Sequence, residues 1–174
     1  MRASLASARP RAGAGIADPE KAMTLKIESP SFDSNTTIPD DHVREGRNLS
    51  PELRWSGAPA GTRSFALLVE DPDAPSGMFR HWAVYDIPGD RSSLGEGEDV
   101  SAYGAGVNDF GTLRYEGPQP PKGHGVHHYH FRLAALDVQR IPGLSGKPSA
   151  ANVWDKAQPH LIEQAELVGT YETR

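Results

Sequence analysis

The run SFALLVED at 64–71 constrains the fold more than any other stretch of this 174-residue chain. Its eight residues, with five consecutive apolar ones at 65–69, are too few for a buried helix and the right number for a strand. A strand without polar alternation has no face to offer water, so both of its sides must be covered. The chain therefore needs at least one layer above and one below this segment. The run then ends abruptly in DPDAPSG at 71–77, two carboxylates one residue apart and stiffened by two prolines. Such a turn is either a solvated connection or a preorganised site.

Further strand patterns surround it. TLKIESPSF after Met23 alternates apolar and polar residues, and Leu53 and Trp55 mark a second short strand. HWAVYDIP (81–88), HHYHFRLAALDV (127–138) and ELVGTY (166–171) read the same way, whereas 88–99 reads as an exposed loop. The segment 101–127 is dominated by glycine, proline and aromatic residues, and no helical period survives there. With 18 glycines and 15 prolines, the chain favours short elements joined by many turns, which points to a mostly β architecture. Helix signals come late: Ser149 is an N-cap for AANVWDKA, and Pro159 fits the first turn of a second short helix over HLIEQA. No repeat or linker divides the chain, so residues 23–174 are expected to form one domain. Residues 1–22 carry arginines and no acid before Asp18, and they lack the apolar core of a secretory signal. They are expected to be a disordered extension, or to lie upstream of a true start at Met23.

Several function classes drop out. The net charge is −5 with scattered basic residues, which gives a nucleic-acid backbone no continuous footprint. The absence of cysteine removes disulfides, thiolate catalysis and cysteine-bound zinc. No apolar run reaches membrane-spanning length, and a cytoplasmic location is expected. There is no G-x-S-x-G elbow, no P-loop and no dinucleotide fingerprint, so no cofactor is implied.

Chemistry enters through strand parity. In 127–138 one face carries His127, Tyr129, Phe131, Leu133 and Ala135, and the other carries His128, His130, Arg132 and Ala134. The first face is the more apolar and should point inward, which buries His127 and Tyr129 at the strand's start. Inward polar groups must find partners or line a pocket, because orphaned burial costs about 1–3 kcal/mol. His81 opens another strand just after the Asp-Pro-Asp-Ala-Pro turn. Three strand ends could thus bring Asp71, Asp73, His81, His127 and Tyr129 together.

DPDAPSG, then His81 at the head of HWAVYDIP, then GPQPPKGHGVHHY resemble the paired signatures of the phosphatidylethanolamine-binding protein family, also called the Raf kinase inhibitor protein family. NDFG at 108–111 and the ending AELVGTY are similar to its bacterial and archaeal branch. The resemblance spans residues 24–171 in order. It implies a mostly β, antiparallel β-sandwich-like phosphatidylethanolamine-binding protein fold with one or two short C-terminal helices. It also implies a pocket for a small anion or phosphorylated head group, built from Asp71, Asp73, Pro75, His81, Pro120, Pro121, His127 and Tyr129. Many members have glycine before the paired prolines, whereas this chain has Gln119. The resemblance further implies a binding protein without catalysis, a protein target such as a kinase or protease to be inhibited, and a homodimer.

An anion needs donors: imidazole N–H groups, the Tyr129 hydroxyl and backbone N–H groups of the glycine-rich loop. Two aspartates repel an anion, so their expected task is to orient the histidines and raise the pKa of those rings. One acid could instead be protonated and donate a hydrogen bond, or the pair could simply cap a turn. The competing reading is a small hydrolase or metal-dependent enzyme using the His124–His130 cluster, since His128 and His130 have the spacing that puts two imidazoles on one strand face.

Overall fold

The computed structural model describes residues 24–174; the expectation for residues 1–22 falls outside the described residues. At its centre lies β4 (Ser64–Asp71), every residue of which is buried. It pairs antiparallel with β5 (Phe79–Pro88) on one side and with β8 (His127–Leu136) on the other. β8 pairs in turn with β9 (Leu161–Tyr171), and two short strands, β2 (Thr36–Thr37) and β7 (Gly104–Ala105), form the edges. The resulting six-stranded sheet runs β2-β9-β8-β4-β5-β7. Only the β2–β9 pair among these is parallel. A second, three-stranded sheet runs β1-β3-β6, with β1 at Lys26–Glu28, β3 at Leu53–Ser56 and β6 at Ser93–Leu94.

The apolar run at 64–71 is covered on both faces, each by a different layer. Phe65, Leu67 and Val69 join Ile27, Leu53, Trp55 and Leu94 in the core between the two sheets. The Trp55 and Phe65 rings meet there at 5.4 Å. On the opposite face Ala66 packs with Val153 and Ala157, while Leu68 and Ala83 pack with Ala150. Those three residues belong to the helix α1 (Ala150–Ala157). The alanines on the sheet are small, so the helix can lie close against it, and each large aliphatic or aromatic side chain buried here contributes about 1.5–3 kcal/mol. Ser149 caps α1, its hydroxyl accepting from the Asn152 N–H at 3.0 Å.

Two sequence expectations are corrected. HLIEQA forms no helix: Pro159 sits in a single 3₁₀ turn (Gln158–His160), and Leu161 already begins β9. The long β8 needs its backbone groups paired along a full edge, and that demand overrides local helix preference. The structure therefore has one C-terminal α-helix. Within 88–99, Ser93 and Leu94 pair with β3, because fully buried Leu94 pins the loop to the core. The segment 101–127, which shows no helical period, contributes the edge strand β7.

Candidate functional site

The alternation that packs β4 also places its last residue. Phe65, Leu67 and Val69 face the intersheet core, and Asp71 is the next residue with that parity. It is 3% exposed at the end of the strand. From the neighbouring strand His127 follows the same rule, being 1% exposed on the inward face with Tyr129, Phe131 and Leu133. The two meet, His127 Nδ1 lying 2.7 Å from Asp71 Oδ2. The other Asp71 oxygen accepts from the Asp73 backbone N–H at 2.7 Å, which closes the turn.

His81 is delivered differently. Val69 stands opposite Trp82 and Glu70 opposite Arg80, so His81 is an extra residue in β5 with no opposite number. A bulge of this kind bends the strand and re-aims a side chain. The His81 ring is 4% exposed among Phe79, Phe110 and Tyr129, with ring centres 5.3 Å from each. Its Nδ1–H donates to the Glu116 carbonyl at 2.7 Å, which leaves Nε2 with a lone pair in the neutral ring. Burial depresses the His81 pKa, and neither that hydrogen bond nor the nearby Asp71 charge overcomes it. His81 is thus held neutral, contrary to the expectation of a carboxylate-raised imidazolium. A backbone carbonyl orients it instead of an aspartate.

Glu116 is itself fixed. Its buried carboxylate accepts from Arg44 (3.2 Å), Asn48 (3.0 Å), Thr112 (3.1 Å) and Arg114 (2.9 Å). Burial alone would raise this carboxyl, but the donors outweigh it and hold the pKa below the usual range. Gly117, next in the chain, lies so close to the His42 carbonyl that a Cβ would have no room. Asn108 of the NDFG motif accepts from the Phe110 and Thr112 N–H groups at 3.0 Å each and donates to the His81 carbonyl at 3.2 Å. It thereby sets Phe110 against the His81 ring.

These groups enclose a cavity of about 290 Å³. Asp71, Pro75, His81, Pro120, Pro121, His127 and Tyr129 all line it, so the structure brings together seven of the residues singled out by sequence. Asp73 is not among its walls. That side chain turns outward, and its Oδ2 accepts both the backbone N–H and Nδ1–H of His128, at 2.9 and 2.7 Å. Burial would raise its pKa, but the His128 bonds dominate and lower it. Both acids thus bond a histidine, but only Asp71 bonds one in the cavity; the expectation that Asp73 orients a cavity histidine is corrected, because it holds the outward His128. Ala74, Ser76, Phe79, Phe110 and Gln119 complete the lining. Phe79 could have been found by continuing the strand upstream of His81. Phe110 could not, because its place depends on a loop.

Three larger depressions, of about 930, 620 and 450 Å³, carry no histidine. Volume alone does not select the site; the convergence of titratable groups does. Burial drives the Tyr129 pKa far above the usual phenol range, and the Asp71 charge adds to it. Its hydroxyl is a permanent donor at working pH. The glycine-rich loop supplies less than expected. Pro120 and Pro121 have no N–H, while the Gly123 and His124 N–H groups are spent on the Thr173 and Pro121 carbonyls at 3.2 and 3.0 Å.

The outward histidines are engaged separately. His130 Nδ1 bonds Glu166 at 2.8 Å and His128 bonds Asp73, so each imidazole of the pair holds its own carboxylate. Among the described residues no group of three or more histidine or acidic side chains is placed to hold a metal ion.

The sequence model described as Phosphatidylethanolamine-binding protein matches residues 28–172. The chain belongs to that family. A UPF0098 protein of Aquifex aeolicus is 40% identical over 152 residues, covering 85% of this chain and 88% of the relative. The UPF0098 protein PH1269 of Pyrococcus horikoshii is 40% identical over 163 residues, covering 89% and 80%. Among solved structures, YbcL of Escherichia coli, described as a member of the mammalian PEBP family, superposes with a TM-score of 0.81 at 35% identity. That match covers 87% of this chain and 99% of YbcL. The phosphatidylethanolamine-binding protein family thus accounts for the two-sheet fold, and its bacterial and archaeal members are well represented among the relatives.

Proposed function

We propose that this phosphatidylethanolamine-binding protein relative binds a small oxyanion, the phosphate of a phosphorylated head group or metabolite, in the 290 Å³ cavity. The observation that carries this reading is the convergence of Tyr129, His81 and the Asp71–His127 pair on one partly enclosed space. The Tyr129 hydroxyl and Ser76 are donors. His81 is the selective element, because its Nε2 must gain a proton to face an anion or else accept one from a protonated phosphate. In either case binding carries a proton with it. Phosphate affinity should therefore fall as pH rises through the ordinary histidine range, and the two sides of the linkage have the same sign: an anion stabilises the protonated ring, whose pKa burial had lowered. Isothermal titration with inorganic phosphate and O-phosphoethanolamine, repeated in buffers of different ionisation enthalpy, measures both the affinity and the proton uptake. A pH-independent affinity with no proton exchange would remove His81 from the role.

The same reading assigns no catalytic step, gives the protein a cytoplasmic place and makes it a homodimer, which fractionation and sedimentation check. It puts a protein partner, a kinase or protease to be inhibited, at the rim where Arg44, Gln119 and Glu45 are linked by hydrogen bonds of 2.7 and 3.1 Å. Inhibition assays with and without phosphate test that part.

A hydrolytic reading has one observation in its favour: the Asp71–His127 pair shares its cavity with Ser76. The free nitrogen of His127, however, is bonded to another histidine and not to that serine. Turnover of an activated ester or phosphate ester that is lost in His127→Ala would favour it over the binding reading.

A further inference from the structure

An imidazole has two nitrogens, and each makes one in-plane hydrogen bond. His127 spends Nδ1 on Asp71 at the back of the cavity, at 2.7 Å. Nε2 is the atom left to meet a ligand, and it lies 2.6 Å from His124 Nδ1. The two rings sit edge to face, with centres 4.8 Å apart and planes at 66°. Only one proton fits between two nitrogens, so whichever ring donates, His127 has no bonding capacity left. An oxyanion can reach His127 only by replacing His124.

His124 is built to be replaced. It is exposed, whereas His127 is buried, and it does not line the cavity. Gly123 and Gly125 flank it with φ of 77° and 93°, angles natural to glycine alone. A Cβ at either position would meet nothing within 4 Å, so no packed neighbour holds this stretch. The Gly123 and His124 N–H bonds of 3.2 and 3.0 Å are its backbone ties, and Lys122 beside it is exposed. The rigid Pro120–Pro121 rim ends just before the stretch, and β8 begins just after it. The segment between is therefore a short hinge carrying one imidazole.

We propose that His124 is a displaceable cap on His127, which a phosphate-class oxyanion in the cavity drives off Nε2. This rests on the anion-binding reading above. The cap makes the site selective: a charge-assisted hydrogen bond from a protonated His127 Nε2 to an oxyanion is roughly twice as strong as the neutral contact it replaces, whereas an alcohol or ether offers no such gain. His124 thus lowers the affinity for every ligand that must reach Nε2, a loss that an oxyanion recovers and a neutral ligand does not.

Titration of inorganic phosphate into wild type and His124→Ala separates the possibilities. Removing a contact worth one net hydrogen bond should tighten phosphate binding about three- to tenfold. In wild type, saturating phosphate should move the His124 ring ¹⁵N resonances to those of a solvent-exposed imidazole. If His124→Ala binds phosphate as tightly as wild type or more weakly, the cap is refuted while the anion site stands. If the His124 resonances stay fixed as phosphate saturates the protein, it is refuted equally. If phosphate binds neither protein, the anion-binding reading falls and takes the cap with it.

Discussion

Two faces of one strand put the same side-chain chemistry to opposite uses. At the start of β8, His127 and Tyr129 point between the sheets, while His128 and His130 point away from them. On the inward face the His127 side chain is 2% exposed and that of its partner Asp71 4%; on the outward face those of His128 and Asp73 are 48% and 40% exposed. Both pairs have the same 2.7 Å separation. Distance therefore says nothing about which pair matters. Burial strips water from the inner pair, so each partner depends on the other, whereas water can substitute for either partner of the outer one.

The largest expected effect breaks the comparison directly. Asp71→Ala leaves His127 buried without its acceptor, a loss of about 3–5 kcal/mol of the kind measured when one partner of a buried pair is removed. Asp73→Ala removes an exposed pair and a turn contact, and should cost about 1 kcal/mol or less. Chemical denaturation of the two variants measures both. Equal losses would show that the inner pair is solvated after all.

Acid sharpens the same contrast at His81, the second buried imidazole of the cavity. Its folded pKa is depressed by burial, so below the ordinary value of about 6.5 the unfolded chain binds a proton that the folded chain refuses. The resulting stability is fully present above that pH and is lost as pH falls through it. Thermal melts from pH 7.5 to pH 5 should show the decline. His81→Phe, a ring suited to the cage of Phe79, Phe110 and Tyr129, should flatten it. An unchanged acid limb in that variant would assign the decline to another group.

How much of this was legible beforehand follows the same division. Alternation places a side chain on a face, so Asp71, His127 and Tyr129 could be read off two strands without knowing how the strands pair. The inward face of β8 is as expected for all of its first five alternating members. The same rule could not see the bulge that frees His81 from parity, because a bulge is a property of two strands in register and not of one sequence. Nor could it separate Asp73 from Asp71, since their direction is set by the turn after the strand ends. Phe110, Arg44 and Glu116 meet through loops, with the Arg44 guanidinium 4.2 Å above the Phe110 ring, and no local period reports such a meeting. HLIEQA misled because a helix-like pattern over six residues is weaker than a partner strand, β8, with ten residues to pair.

The smallest effect tests whether the inward face serves a ligand as well as the core. Tyr129 is 1% exposed and packs its ring beside His81, so Tyr129→Phe keeps the volume and the aromatic contact. Folding stability should change by about 1 kcal/mol or less. Phosphate affinity should nevertheless drop about three- to tenfold, because one donor to the anion is gone. His128→Ala, one residue away in sequence but on the far side of the sheet, should leave phosphate affinity within about twofold, as its ring bonds Asp73 outside the cavity. Should the two variants weaken phosphate alike, the anion is held by the general charge of this end of the strand, and the separation of an inner, ligand-facing row from an outer, structural one is lost.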